Sequence, residues 1–158
     1  ALGWPFLDLD MEFIGRIAPI DHFIRAHGYE RYQEANSALA HDVLRQNDQP
    51  RVAALSSGFL MIHRGPEYGR RNRLLVQQTG YSILILPSAD IDEATDIVVA
   101  RQLARGFGLT ADRERAKFRC RFSAYLELGD MQIFSTAAPE EIVGAIADRF
   151  RRLSADYA

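Results

Sequence analysis

Short apolar runs alternate along this chain with longer segments whose apolar residues recur every three or four positions. Pro5 to Leu9 reads as a strand that runs into two acids, Asp8 and Asp10. Met11 to Gly28 reads as mostly helical with a break near Pro19, because proline cannot continue a helix. From Glu30 to Gln46 the spacing predicts an amphipathic helix with Tyr32, Ala35, Leu39 and Val43 on one face. Val52 to Leu55 reads as a short buried strand, followed by the turn Ser56-Ser57-Gly58. Arg70 to Gln78 reads as a helix stopped by Gly80. Ser82 to Leu86 is a continuous apolar run, as expected of a strand covered on both faces.

The second half repeats the alternation. Asp90 to Ala104 reads as a helix, Gly106 to Leu109 as a loop, and Asp112 to Leu128 as a helix with Phe118, Phe122 and Tyr125 on its apolar side. Met131 to Phe134 is a last strand. Pro139 to Leu153 closes the chain as a helix with Ile142, Ile146, Phe150 and Leu153 in its stripe. Proline suits its first position, and Glu140 and Glu141 favour its positive end. Strands alternating with helices predict one α/β layered domain over residues 1–158, with a mainly parallel sheet.

A chain of 158 residues suits one such domain and buries roughly two thirds of its unfolded surface without staples. Its formal net charge of -2 argues against direct nucleic-acid binding or attraction to an anionic membrane. No apolar run reaches the roughly 20 residues that cross a bilayer, and no signal peptide is evident. The single cysteine, Cys120, can form neither an intramolecular disulfide nor a zinc site alone, which fits the cytoplasm. The first residue is alanine rather than methionine, so a natural start upstream is expected.

Four groups of residues carry candidate chemistry. Asp8 and Asp10 fall at the end of a strand, where open α/β sheets bind ligands. They can hold Mg²⁺ or accept from substrate hydroxyls, and the same pattern also reads as a helix cap. Ser56-Ser57-Gly58 can bring backbone N–H groups to an anion, or form a plain turn. Arg119 and Arg121 border the aromatic face of the late helix, where a guanidinium can grip a carboxylate. The basic stretch from His63 and Arg64 to Arg73 can attract a phosphate or nucleic acid, but without interleaved aromatics it reads rather as a solvated helix start. His22, His27 and His41 have no matched metal-ligand spacing, and no catalytic Ser-His-Asp or Cys-His pattern occurs.

The order of these features resembles the shikimate kinase family. Leu2 to Asp10 looks like that family's LG-x-PF-x-D-x-D segment. Gly28 and the following helix fall at its GE-x-x-FR-x-x-E segment, and VAALSSGFL (Val52 to Leu60) at its strand and triple glycine. Ser82 to Ser88 resembles the next strand, and Arg121 to Tyr125 its R-x-x-x-Y. The resemblance implies a three-layer α/β/α P-loop kinase of the nucleoside-monophosphate-kinase type. It implies transfer of the ATP γ-phosphate, with Mg²⁺, to a hydroxyl of shikimate or a related small carboxylate.

By that resemblance Asp10 binds and positions the substrate hydroxyls, Asp8 sits near Mg²⁺, Gly58 offers backbone, and Arg121 grips the carboxylate. Arg105, beside Gly106, matches the lid arginine. Ser135 to Pro139 falls where the adenine pocket is lined. The chain also departs from the pattern. Gln33 stands for the second substrate-binding arginine, Asn36 for a glutamate, and Ser56-Ser57 for two glycines. No G-x-x-x-x-G-K-[ST] occurs, so the phosphate loop and the sheet's central strand are expected upstream, and the 158 residues alone are expected to be inactive. The alternative is a ligand-sensing domain behind an upstream DNA-binding domain, of the kind found in regulators of aromatic-compound metabolism. A third is an interaction domain that binds neither nucleotide nor substrate.

Overall fold

Asp8 ends the first strand and starts the first helix, and the rest of the chain follows the same economy of short links. The structure, a computed structural model, describes residues 2–45, 49–61, 66–106 and 108–155. In order these hold β1 (Phe6–Asp8), α1 (Leu9–Arg16), α2 (Ile20–His27), α3 (Tyr29–Arg45), β2 (Val52–Ala54) and α4 (Pro66–Thr79). There follow β3 (Ile83–Leu86), α5 (Ile91–Leu103), α6 (Ala111–Leu126), β4 (Met131–Phe134) and α7 (Pro139–Ala155). His63, Arg64 and Phe107 lie outside the described residues.

The chain forms two compact units, one over Gly3–Tyr81 and one from Ser82 onward with the first two residues. The Gly3–Tyr81 unit holds a parallel pair, β1 with β2, in which Phe6 faces Val52 and Asp8 faces Ala54. Helices α1, α2, α3 and α4 pack around a core of Leu7, Leu9, Phe13, Tyr32, Leu39 and Val43, with Phe59 and Leu75. Phe13 is fully buried, edge-on to Phe23 at 5.3 Å and to Tyr32 at 5.1 Å. Truncating so buried a ring costs about 3–5 kcal/mol. Pro19 separates α1 from α2 as the sequence predicts, and Gly28, at φ +85°, ends α2. Two buried polar side chains find partners here. The Ser37 hydroxyl donates to Asn72 Oδ1 at 2.6 Å, and Asn72 Nδ2 donates to the Phe59 carbonyl at 2.9 Å.

The second unit holds the parallel pair β3 with β4, Ile83 facing Met131 and Leu86 facing Phe134. Leu86, Ala94, Phe118 and Phe122 form its cluster, with Leu84 and Tyr125 packed against it. Helices α5 and α6 are further tied by the ion pairs Arg119–Asp92 and Arg115–Asp96. Asp90 caps α5, accepting from the amides of Asp92 and Glu93 at 2.9 Å. Gly129, at φ +88°, turns the chain into β4.

Three expectations are corrected. Strand β2 is only half covered: Val52 is 45 % exposed, while Ala53 and Leu55 pack on the core, as alternation along a strand dictates. Ile85 in β3 is 50 % exposed because the α5–α6 cluster covers the Leu84–Leu86 side of that strand. Helix α4 begins at Pro66 rather than Arg70, since proline at a first helical position and Glu67 in the first turn both favour an earlier start.

Candidate functional site

Because β1 and β2 are parallel and Asp8 pairs with Ala54, both strands deliver their next residues to the same edge of the sheet. Asp8 leaves as the cap of α1: its Oδ1 accepts from the amides of Asp10 at 2.9 Å and Met11 at 3.2 Å. That bond places Asp10 in the first turn of α1, its side chain half-buried. Ser56, two residues beyond β2, donates its hydroxyl proton to Asp10 Oδ1. Hydrogen bonds to an ionised acceptor are the strong kind.

Helix α3 supplies the third side. Asn36, 3 % exposed, donates from Nδ2 to Ser56 Oγ at 3.3 Å. Its own Oδ1 is buried and has no hydrogen-bond partner among the described residues. Tyr32, one turn earlier, is buried in the same wall. Burial above all pushes its phenol above the ordinary value, with the negative charge of Asp10 adding and a hydrogen bond with Ser56 opposing. Tyr32 therefore stays a neutral phenol at physiological pH. The site thus presents one carboxylate and a directed chain of donors behind it, a setting for binding and orienting a hydroxyl.

The remaining residues divide by unit. Gln33 lies on α3 next to Tyr32, half-buried, its side chain without a hydrogen bond among the described residues. The Gly58 carbonyl accepts from the Met61 amide at 3.2 Å in the turn after Ser56. Arg105, Arg121, Ser135 and Pro139 belong to the unit from Ser82 onward. Arg121 is half-buried on α6 and forms no ion pair among the described residues. Arg105 is exposed, with Nη1 3.5 Å from Gln102 Oε1. The Ser135 hydroxyl accepts from the Ala137 amide at 3.1 Å, and Pro139 opens α7 in an exposed position. A groove of about 360 Å³ between α2 and α3, lined by Phe23, His27 and Arg31 among others, includes none of these residues.

The fit to nucleotide and metal is limited. Among the described residues no group of three or more His, Cys, Asp or Glu gathers to hold a metal ion. Mg²⁺ needs only one or two carboxylates when phosphates and waters complete its shell. Asp8 has one oxygen outside its capping bonds for that purpose. No G-x-x-x-x-G-K-[ST] loop in the 158 residues provides a cradle for those phosphates. The phosphate-binding part of a kinase centre is therefore not built by these residues.

No protein-family model matches the chain, and no curated protein matches it significantly. Solved structures do. The chain is similar to the shikimate kinase of Acinetobacter baumannii in complex with shikimate, at 16% identity and a TM-score of 0.66. That likeness covers 94% of this chain and 81% of that one. The shikimate kinase of Bacteroides thetaiotaomicron matches at 15% identity and a TM-score of 0.66, over 97% of this chain and 85% of that one. The chain thus has a fold like that of these shikimate kinases.

Of the site residues, Asp10 is legible in the sequence as a ligand, whereas Ser56 and Asn36 stand out there as departures from the family pattern. The signal for their joint role was a polar residue, Asn36, one helical turn from Tyr32 within an otherwise apolar face.

Proposed function

We propose that this chain is a shikimate-kinase-type phosphotransferase domain whose acceptor is a hydroxyl of a small ligand held at Asp10. One observation carries the reading: in a shikimate-kinase-like fold, the half-buried Asp10 carboxylate lies just beyond the carboxyl ends of two parallel strands. Ligands of open α/β sheets bind there. In this reading, within the Gly3–Tyr81 unit, Gly58 and Gln33 line the ligand and Asp8 neighbours Mg²⁺. For the unit from Ser82 onward, the resemblance gives Arg121 and Arg105 the role of positive charge and Ser135 and Pro139 that of adenine contacts. ATP would supply the phosphoryl group, bound through a phosphate loop that the 158 residues do not include. The setting is the cytoplasm.

The test is titration of the full natural protein with Mg·ATP, with ADP release measured in the presence of shikimate and other small hydroxylated compounds. Asp10→Asn should lower transfer by roughly 100-fold, the scale of a lost proton-handling group. Absence of nucleotide binding sinks the reading.

A second reading has its own support. One oxygen of Asp10 is already engaged by Ser56, which suits a domain that binds a ligand without transferring phosphate to it. Such a sensor would be stabilised by ligand with no ADP released, and a helix-turn-helix in the full natural protein would favour it.

A further inference from the structure

Helices α3 and α4 carry a group of cations apart from the site at Asp10. Arg71 Nε donates to His41 Nε2 at 3.1 Å, so that nitrogen bears no proton and the imidazole is neutral, with its proton on Nδ1. Burial above all holds His41 below the ordinary imidazole value, with the charges of Arg71 and Arg45 adding and that of Asp42 opposing. Arg45, one helical turn after His41, donates from Nη2 to Gln78 Oε1 at 3.3 Å. Among the described residues neither Arg71 nor Arg45 forms an ion pair, although Asp42 follows His41 and Glu67 stands one turn before Arg71. Two guanidinium groups thus rest on neutral acceptors around one imidazole. A groove of about 500 Å³, lined by Leu44, Arg45, Gln78 and Thr79, opens at Arg45. Arg45 and Thr79 end α3 and α4, whose final carbonyls carry partial negative charge. An anion is therefore favoured on the side of Arg45 toward His41 and Arg71 rather than at the helix ends.

We infer that His41, Arg45 and Arg71 form a binding site for a tetrahedral oxyanion, the class of a phosphate group on a small compound. A guanidinium meets such an anion through parallel N–H groups, and a charged acceptor makes stronger hydrogen bonds than the neutral His41 and Gln78 it replaces. The anion also offsets the mutual repulsion of the two arginines. Once Arg71 turns to the anion, His41 Nε2 is released and takes up a proton, becoming a further donor. Binding thus consumes a proton, and affinity rises as pH falls through the titration of His41. The site lies wholly within the Gly3–Tyr81 unit and does not depend on whether Asp10 holds a ligand.

The experiment is an NMR titration of the full natural protein with sodium sulfate, a dianion whose own charge is constant near neutral pH, against sodium chloride at matched ionic strength. Amide signals of α3 and α4 report the site itself, so a phosphate loop elsewhere in the protein does not enter. Sulfate should shift them saturably, with an affinity at about pH 5.5 that exceeds that at about pH 8 by roughly threefold or more. Arg71→Gln should weaken binding about tenfold. His41→Gln, which cannot gain the charge, should remove the pH dependence. Inorganic phosphate and glycerol phosphate, titrated at one pH, tell a free anion from a phosphate group on a larger compound, and Arg71-dependent binding of either upholds the inference. Failure of both while sulfate binds overturns it. Shifts no larger than those with chloride overturn it too, as do sulfate affinities unchanged by Arg71→Gln or by pH. A pH dependence that survives His41→Gln does the same. A single-stranded oligonucleotide that binds through Arg71 where sulfate and phosphate do not overturns it in favour of a nucleic-acid surface. If a variant does not fold, the chloride comparison and the pH dependence of the unsubstituted protein decide alone.

Discussion

The Ser56 hydroxyl donates to the Asp10 carboxylate, tying the segment after β2 to the first turn of α1 across 46 positions of sequence. The bond also orders what lies behind it, since Ser56 Oγ accepts from buried Asn36. Two side chains thus depend on one hydroxyl.

Ser56→Ala should lower stability by about 1–2 kcal/mol, a charge-assisted hydrogen bond discounted for the half-exposed position of Asp10. Ser56→Thr, which keeps the hydroxyl, should recover part of the loss. Urea unfolding followed by Trp4 fluorescence reads the result locally, because the only tryptophan lies in the same unit as Ser56. An unchanged midpoint for Ser56→Ala would show that the bond contributes nothing.

Gly129 and Gly28 both sit at positive φ, +88° and +85°, but in different surroundings. A Cβ on Gly129 would lie 2.8 Å from both the Leu84 amide nitrogen and the Met131 carbonyl oxygen. A Cβ on Gly28 would meet nothing within 4 Å. Gly129→Ala should therefore cost roughly 2–4 kcal/mol, from backbone strain plus forced movement of β3 and β4. Gly28→Ala should cost roughly 1 kcal/mol from strain alone. Thermal melts of the two variants by circular dichroism should differ in that order, and equal melting temperatures refute the assignment.

Asp130 is held below the usual carboxylate range. The main cause is the hydrogen bond from the Ser82 hydroxyl at 2.6 Å, followed by the one from the Ser82 amide at 2.7 Å. A depressed folded pKa means stability that is present above the unfolded value, about 3.9, and lost as pH falls through the lower folded value. Asp130→Asn should therefore reduce stability near neutral pH and flatten its decline between about pH 5 and about pH 2. Urea midpoints across that range decide. The same acid slope in wild type and variant would remove Asp130 from the account.

Residues close in sequence were the legible ones. Leu39 and Val43 could be placed on the buried face of α3 because helical periodicity is a local property. Pro19 marked the break between α1 and α2 for an equally local reason, its missing N–H. Asp8 was legible as a cap and as a ligand, and its two amide bonds show the cap at work. The exposure of Val52 and Ile85 was not legible. An apolar run looks the same whether one face of a strand is covered or two.

By itself the sequence determined the alternation of strands and helices, most of their bounds, and the presence of an acid just past the first strand. Those outcomes follow from propensity, capping and periodicity, which act within a few residues. Only the tertiary structure decided that Asp10, Asn36 and Ser56 meet, and that their donors run in one direction toward the carboxylate. That meeting depends on the parallel register of β1 with β2 and the packing of α3 beside them. Register and packing are settled by burial across the whole unit, and no short stretch of residues encodes them.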